Sequence, residues 1–256
     1  MSFSADLTAC AAIVEKGDPD RFAAAMASPV AARWVLFPLY AFNVEVSRAP
    51  WVTQEPMIAE MRLQWWRDAL EEIAEAKPVR RHEVVTPLSE ILDPEAARCL
   101  DLSVAARRWD IYKDPFEDEA HFDQYLDHTA GGLMWVAARS LSGGQPLPDG
   151  LLRALGRATG LARYLQAVPA LEAQARVPLV DGRGAAIAKR AQQALDDCPS
   201  RRSIRRSLPP QARGATTEAF LTKPVLQQVV KHPDRVGAGA LDVNPMARSL
   251  ALWKWS

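Results

Sequence analysis

The pattern of apolar and polar positions is densest between Arg33 and Glu72, and the rest of the chain is organised around that stretch. From Arg33 to about Ser47 the apolar residues Trp34, Val35, Leu36, Phe37, Leu39, Tyr40, Phe42, Val44 and Val46 leave almost no polar side. Such a wheel predicts a helix buried all round in a larger helical body. Beyond the breaks at Pro50 and Pro56, residues Met57, Ile58, Met61, Trp65, Ala69 and Ile73 recur at three- and four-residue spacing, with Glu60, Arg67, Asp68, Glu71 and Glu75 elsewhere on the wheel. This predicts an amphipathic helix with that stripe on the core. Two alanine-rich helices are expected before it, over Ala5 to Lys16 and Pro19 to Met26, with Asp18 capping the second and Pro19 in its first turn. After it the pattern predicts a polar connection from Lys77 to Pro87 and helices over Leu88 to Leu92, Pro94 to Arg108 with Asp93 as cap, and His121 to Leu141. Further helices are expected over Leu151 to Val168, ended by Pro169, then Ala185 to Asp197 and Glu218 to Val230, with turns at Ser142 to Gly150 and Asp181 to Gly184. No alternating strand pattern and no repeat interrupts them, so the fold class is all-α, one helical domain over 1–256.

Charge and cysteine content narrow the function classes. Lys plus Arg and Asp plus Glu both number 31, so no global field recruits nucleic acid. Cys10, Cys99 and Cys198 are scattered without metal-site spacing, which suits a reducing compartment. The start lacks a basic segment followed by a long apolar run, and the stretch from Trp34 to Val46 is too short to span a bilayer. The expected location is cytoplasmic, with peripheral contact to the inner face of a membrane left open. Trp253 and Trp255 around Lys254 suit either an interfacial anchor or packing on the body, and the order of the tail stays open.

The order Asp20-Arg21-Phe22, Leu39-Tyr40-Ala41-Phe42 and Glu60-Met61-Arg62-Leu63-Gln64-Trp65-Trp66-Arg67 resembles the squalene/phytoene synthase family, most clearly over residues 20–179. Residues 200–256 diverge from it. The resemblance implies an isoprenoid-synthase helical bundle with a central cavity. In that family two Asp-x-x-x-Asp motifs hold Mg²⁺ against a prenyl diphosphate. The matching positions here are Ser47 and Trp51, then, in the frame of Leu155, Gly156 and Ala158, Ala167 and Leu171. All four carboxylates are absent. Since the metal supplies several kcal/mol of transition-state stabilisation, the resemblance implies a catalytically degenerate protein with no catalytic residue and no metal cofactor. Tyr125, Ala130 and Gly131 match a further family pattern, and Arg176-Val177-Pro178-Leu179 resembles a family loop. The Asn43-x-Glu45 variant resembles a divergent branch, the phytoene-synthase-like assembly factors of respiratory complex I, which implies a protein partner among assembly intermediates.

Several residues carry alternatives. The cavity wall implied by the resemblance comprises Phe37, Tyr40, Phe42, Asn43, Trp66, Gly131, Gly132, Trp135, Leu161, Tyr164 and Leu165. The glycine pair marks either a helix crossing or the approach of a ligand. Glu45, an acid in an apolar helix, either forms a buried bridge to Arg33, Arg48 or Arg62 or faces a polar remnant of the cavity. Asp123 and Asp127 have i,i+4 spacing and offer a relocated Mg²⁺ site if the chain is an active prenyltransferase; otherwise they form a solvated helix face. Arg62 and Arg67 are expected to pair with Asp68, Glu71 and Glu72 on their own helix. Arg201, Arg202, Arg205 and Arg206 form a basic cluster, read as a solvated loop or helix end with phosphate or lipid head groups as the alternative. A third reading is an isoprenoid or lipid carrier.

Overall fold

The computed structural model describes residues 4–53 and 55–256, and the described residues contain helices and no strand. In chain order the α-helices are α1 (Ala5–Gly17), α2 (Pro19–Ala27), α3 (Val30–Arg48), α4 (Pro56–Ala74), α5 (Val85–Ser89), α6 (Pro94–Arg107), α7 (Trp109–Tyr112) and α8 (Glu119–Leu126). They continue as α9 (Gly132–Leu141), α10 (Asp149–Glu172), α11 (Gly184–Asp197), α12 (Arg201–Ser207), α13 (Thr222–Lys231), α14 (Asp234–Gly237) and α15 (Pro245–Trp255). A π-helical turn over Asp127–Gly131 joins α8 to α9, and a 3₁₀ stretch over Pro210–Leu221 precedes α13. The starts follow sequence chemistry: Asp18, Asp93 and Asp118 accept hydrogen bonds from the third residue beyond them, and proline occupies the first turn of α2, α4 and α6.

The helix expected at the centre is there. Leu36, Leu39, Tyr40 and Ala41 of α3 are completely buried, and α3 packs against α1, α2, α5 and α9. It belongs to one contiguous apolar core to which α1 through α14 each contribute at least one buried residue.

Four expectations need correction. The core stripe of α4 is Ala59, Leu63, Trp66, Ala69, Leu70 and Ile73, so Ala69 and Ile73 face the core as expected, while Met57 and Met61 point outward at 74% and 66% exposure. Two apolar stripes overlap on this helix, and the one packed on α6 and on Phe42 won; the Trp66 ring meets Phe42 edge-on at 5.3 Å. The charged residues of α4 pair across the fold rather than along it, because the flank beside its core stripe borders α6 and the following loop. Arg67 makes a two-point bridge to Asp101 at 2.7 and 2.9 Å, and Arg80 binds Glu72. Helix resumes at Val85 rather than Leu88, with Pro87 inside the first turn, where its missing N–H costs nothing. Pro169 does not end α10, which runs on to Glu172 and closes only where Ala175 adopts φ 59° and the Arg176 N–H caps the Leu171 carbonyl.

Small residues set one crossing that matters for the site. A Cβ on Gly156 would lie 2.7 Å from the Gly131 Cα and 2.8 Å from the Ala130 carbonyl oxygen, and a Cβ on Gly160 would lie 2.6 Å from that of Ala130. The glycines of α10 therefore let it seat against the π turn. Of the two alternatives for Gly131-Gly132, the structure has the helix crossing.

Candidate functional site

Beside that crossing, the N-terminus of α2 and helices α3, α6, α8 and α10 surround a cavity of about 210 Å³. Asp18 and Arg21 come from the start of α2, Asn43 and Ser47 from α3, and Arg107 from the end of α6. Tyr125, Thr129 and Ala130 close one wall, and Gly160, Arg163, Tyr164 and Ala167 of α10 the other. Its polar side chains are consumed by one another. Arg21 donates from Nε to Glu218 at 2.5 Å and from Nη1 to Asp18 at 2.8 Å, and Arg163 donates to the same Asp18 at 2.9 Å. The side chains of Arg21 and Glu218 are 7% and 1% exposed, so this is a buried pair. Across the cavity, Arg107 donates to the Tyr125 hydroxyl at 2.7 Å and to Asp110 at 3.2 Å, and the Tyr125 hydroxyl lies 3.0 Å from Asp110. Arg176 then reaches Asp110 from behind, at 3.5 Å to its carboxylate and 2.9 Å to its backbone carbonyl, with its guanidinium 4.9 Å from the Trp109 ring centre.

Burial and pairing pull these groups in opposite directions. Burial alone would raise the Asp18 carboxyl, but the Arg163 and Arg21 guanidinium groups and the Arg21 backbone N–H hold it well below the usual carboxylate range. Burial, and then the Glu218 charge, push the Tyr40 hydroxyl far above its ordinary value. That hydroxyl is buried with no hydrogen-bond partner, its ring beneath Arg21 at 5.5 Å. The Asp18 carboxylate is thus held ionised inside its ion pairs, while the Tyr40 hydroxyl keeps its proton.

The sequence model of the squalene/phytoene synthase family matches residues 14–180, well over half of the chain. The chain belongs to that family. Among relatives, it is 30% identical over 167 residues to the Drosophila melanogaster NADH dehydrogenase (ubiquinone) complex I assembly factor 6 homolog, covering 62% of this chain and 50% of the relative. It is 22% identical over 161 residues to the Homo sapiens complex I assembly factor 6, covering 62% and 48%. The chain thus spans about half the length of the curated relatives it matches. A crystal structure of a dehydrosqualene synthase in complex with ligand superposes with a TM-score of 0.79 at 15% identity, over 98% of this chain and 95% of that one, which shows the fold.

Of the four residues that the resemblance sets against the family's metal carboxylates, Ser47 and Ala167 line the cavity. The Ser47 hydroxyl donates to its own helix at the Val44 carbonyl, 3.0 Å away. Trp51 sits apart, in a separate pocket of about 300 Å³ beside Asp110 and Arg176, and Leu171 is buried. Mg²⁺ demands several oxygen ligands, chiefly carboxylates, and these four residues supply one hydroxyl that is already engaged. They do not fit the ion. The relocated pair does not fit it either: Asp127 is bound by Arg153 and Arg157, both at 2.8 Å, and Asp123 by Arg190. Those acids border a groove of about 620 Å³ together with Leu161, and no cluster of three metal-ligating side chains exists among the described residues.

The expected apolar cavity wall is dispersed. Asn43 and Tyr164 do line the central cavity, but Phe37, Phe42, Trp135 and Leu165 are packed in the core, Tyr40 lies beneath Arg21, and Trp66 faces a surface groove. Gly131 and Gly132 are taken up by the crossing with α10 and by Cys99. Of the expected wall aromatics, Phe42 and Trp66 meet edge-on at 5.3 Å and Tyr164 meets Phe122 at 5.0 Å, while Phe116, outside that set, meets Trp109 at 3.9 Å and Phe122 at 4.8 Å. Glu45 forms no buried bridge. Its side chain is 32% exposed, 3.8 Å from Arg48, at the edge of a groove of about 440 Å³ shared with Arg62, Trp65 and Trp66.

The functional residues that sequence reasoning missed are the ion pairs. Asp18 was visible as a cap and Arg21 within a family-like triplet, but their partners Arg163 and Glu218 lie 145 and 197 residues away along the chain. No spacing rule reaches that far.

Proposed function

We propose that this chain is a non-enzymatic member of its family, working without a metal cofactor as an assembly factor for respiratory complex I. The observation that carries the reading is the chemistry around Ser47 and Ala167. Where a family enzyme would present carboxylates to Mg²⁺ and a diphosphate, this chain presents a serine and an alanine. The arginines beside them are bound by Asp18, Glu218 and Asp110. The remaining space, about 210 Å³, is below the roughly 300–1,000 Å³ of ordinary small-molecule sites. A fold kept while its chemistry is dismantled suits a protein used for its surface. The relatives named as complex I assembly factors supply the partner in this reading.

The test is deletion of the gene in its own host, with native-gel analysis of complex I. The expected result is a loss of mature complex I with accumulated subassemblies, restored by the wild-type gene and equally by a Tyr125→Phe variant. Normal amounts of mature complex I in the deletion strain would overturn the proposal. The competing readings, a Mg²⁺-dependent prenyltransferase and an isoprenoid carrier, both require an apolar chamber where Phe37, Phe42 and Leu165 now pack.

A further inference from the structure

The C-terminal helix carries two apolar faces. On the inner one, Ala251, Leu252 and Trp255 pack against the core, and Arg248 is fixed by an ion pair with Asp20 while its guanidinium lies 5.6 Å from the Phe220 ring. On the outer one, Met246, Leu250 and Trp253 stand at i, i+4 and i+7, a spacing that puts them on one side of a helix, and they are 83%, 50% and 72% exposed. The helix is thus anchored by one face and leaves a three-residue apolar ridge to the outside. Lys254 flanks that ridge and is exposed.

The basic cluster of α12 meets the end of this helix. Arg205 donates from Nη1 to the Ser256 backbone oxygen at 3.1 Å, and Arg201, Arg202 and Arg206 share its short helix. Among the described residues, Arg201, Arg202, Arg206 and Lys254 have no Asp or Glu carboxylate within 4.0 Å, while Arg205 is engaged by the Ser256 oxygen. Arg202, Arg206 and Lys254 are the exposed cations of this group. Arg201 in addition buries a guanidinium Nε with no hydrogen-bond partner, and burial and the adjacent Arg205 lower its affinity for its proton.

An exposed ridge ending in tryptophan, bordered by unpaired arginines and a lysine, matches one environment in both chemistries: the head-group region of an anionic bilayer. The ridge suits the acyl boundary, tryptophan suits the interface, and the guanidinium groups suit phosphate. We propose that α15 and α12 form a docking face through which the protein binds one side of an anionic lipid bilayer. No helix of the described residues is long and apolar enough to cross a membrane, so the contact is peripheral. The inference is independent of the assembly-factor reading.

The experiment is co-sedimentation of the full chain with vesicles of phosphatidylcholine alone and of phosphatidylcholine mixed with phosphatidylglycerol, over a range of salt. Binding is expected to the mixed vesicles, weakening as salt rises, and not to phosphatidylcholine alone. Reversing two charges in Arg202→Glu/Arg206→Glu should weaken it by about tenfold or more, since each basic residue near an anionic surface contributes roughly 1 kcal/mol. Leu250→Ser/Trp253→Ser removes the ridge at exposed positions and should weaken it by a similar factor, about tenfold. Thermal melts should show both variants folded. Failure to bind anionic vesicles, equal binding to both vesicle types, or binding unchanged in both variants would each overturn the proposal. So would capture of a protein through this face by a chain that ignores vesicles.

Discussion

Arginine is used differently at the centre of this molecule and at its C-terminal face. At the centre, Arg21, Arg107, Arg163 and Arg176 each lie within 3.5 Å of Glu218, Asp110 or Asp18. On α12, the exposed Arg202 and Arg206 have no Asp or Glu carboxylate within 4.0 Å among the described residues. The difference teaches which cations are structural. A guanidinium taken out of water needs a partner at hand, because removing one member of a buried pair leaves the other uncompensated. A guanidinium left in water needs none and remains free to meet a phosphate outside.

Arg21→Ala should therefore break the contrast most severely. It strands Glu218, whose side chain is 1% exposed, and should cost about 3–5 kcal/mol, read as a fall in the urea midpoint; a loss no larger than at the surface would mean the centre is wetter than its geometry implies. Next comes Gly156→Ala, which drives a methyl group into the backbone of Gly131 and Ala130 and should cost about 1–3 kcal/mol by the same assay. Lowering the pH tests the same network reversibly. The folded Asp18 carboxyl is held below its ordinary value by Arg163 and Arg21 against the opposing effect of burial. The unfolded chain takes up its proton near pH 4, so the stability Asp18 contributes is complete above about pH 4 and drains away as the pH falls toward the depressed folded value. An Asp18→Asn variant should be less stable than wild type at neutral pH, and the gap should narrow in acid. The smallest effect belongs to the other pole. Arg202→Gln/Arg206→Gln should change stability by no more than about 0.5 kcal/mol, and a large loss there would show a structural role the geometry does not reveal.

The helices were legible in sequence where the signal is local. Asp18, Asp93 and the prolines after them mark helix starts, and the all-apolar wheel of 33–47 marks the centre. The stripe of α4 misled because Met57, Ile58 and Met61 keep a core-like spacing on a face that ends up outside; only the position of α6 decides between two such faces. The 3₁₀ stretch over Pro210–Leu221 was not expected, and Glu218, the first residue of the expected helix, is its buried acid. That Ser47, Trp51, Ala167 and Leu171 carry no carboxylate is readable from the sequence. What replaced such carboxylates is not, because a pair such as Arg21 and Glu218 joins residues 197 positions apart. The cavity wall failed for a related reason. An aromatic residue has the same sequence signature whether it lines a space or fills it.

The most direct measurement of the central claim, that this centre is an ion-paired core and no longer a prenyl-transfer site, is a binding and product assay. The purified chain would be titrated with farnesyl and geranylgeranyl diphosphate, with and without Mg²⁺, and the mixture extracted for condensed hydrocarbon. The account predicts no Mg²⁺-dependent heat and no product. A condensed product that forms only with Mg²⁺ would contradict it and require the acids at Asp123 and Asp127 to part from their arginines.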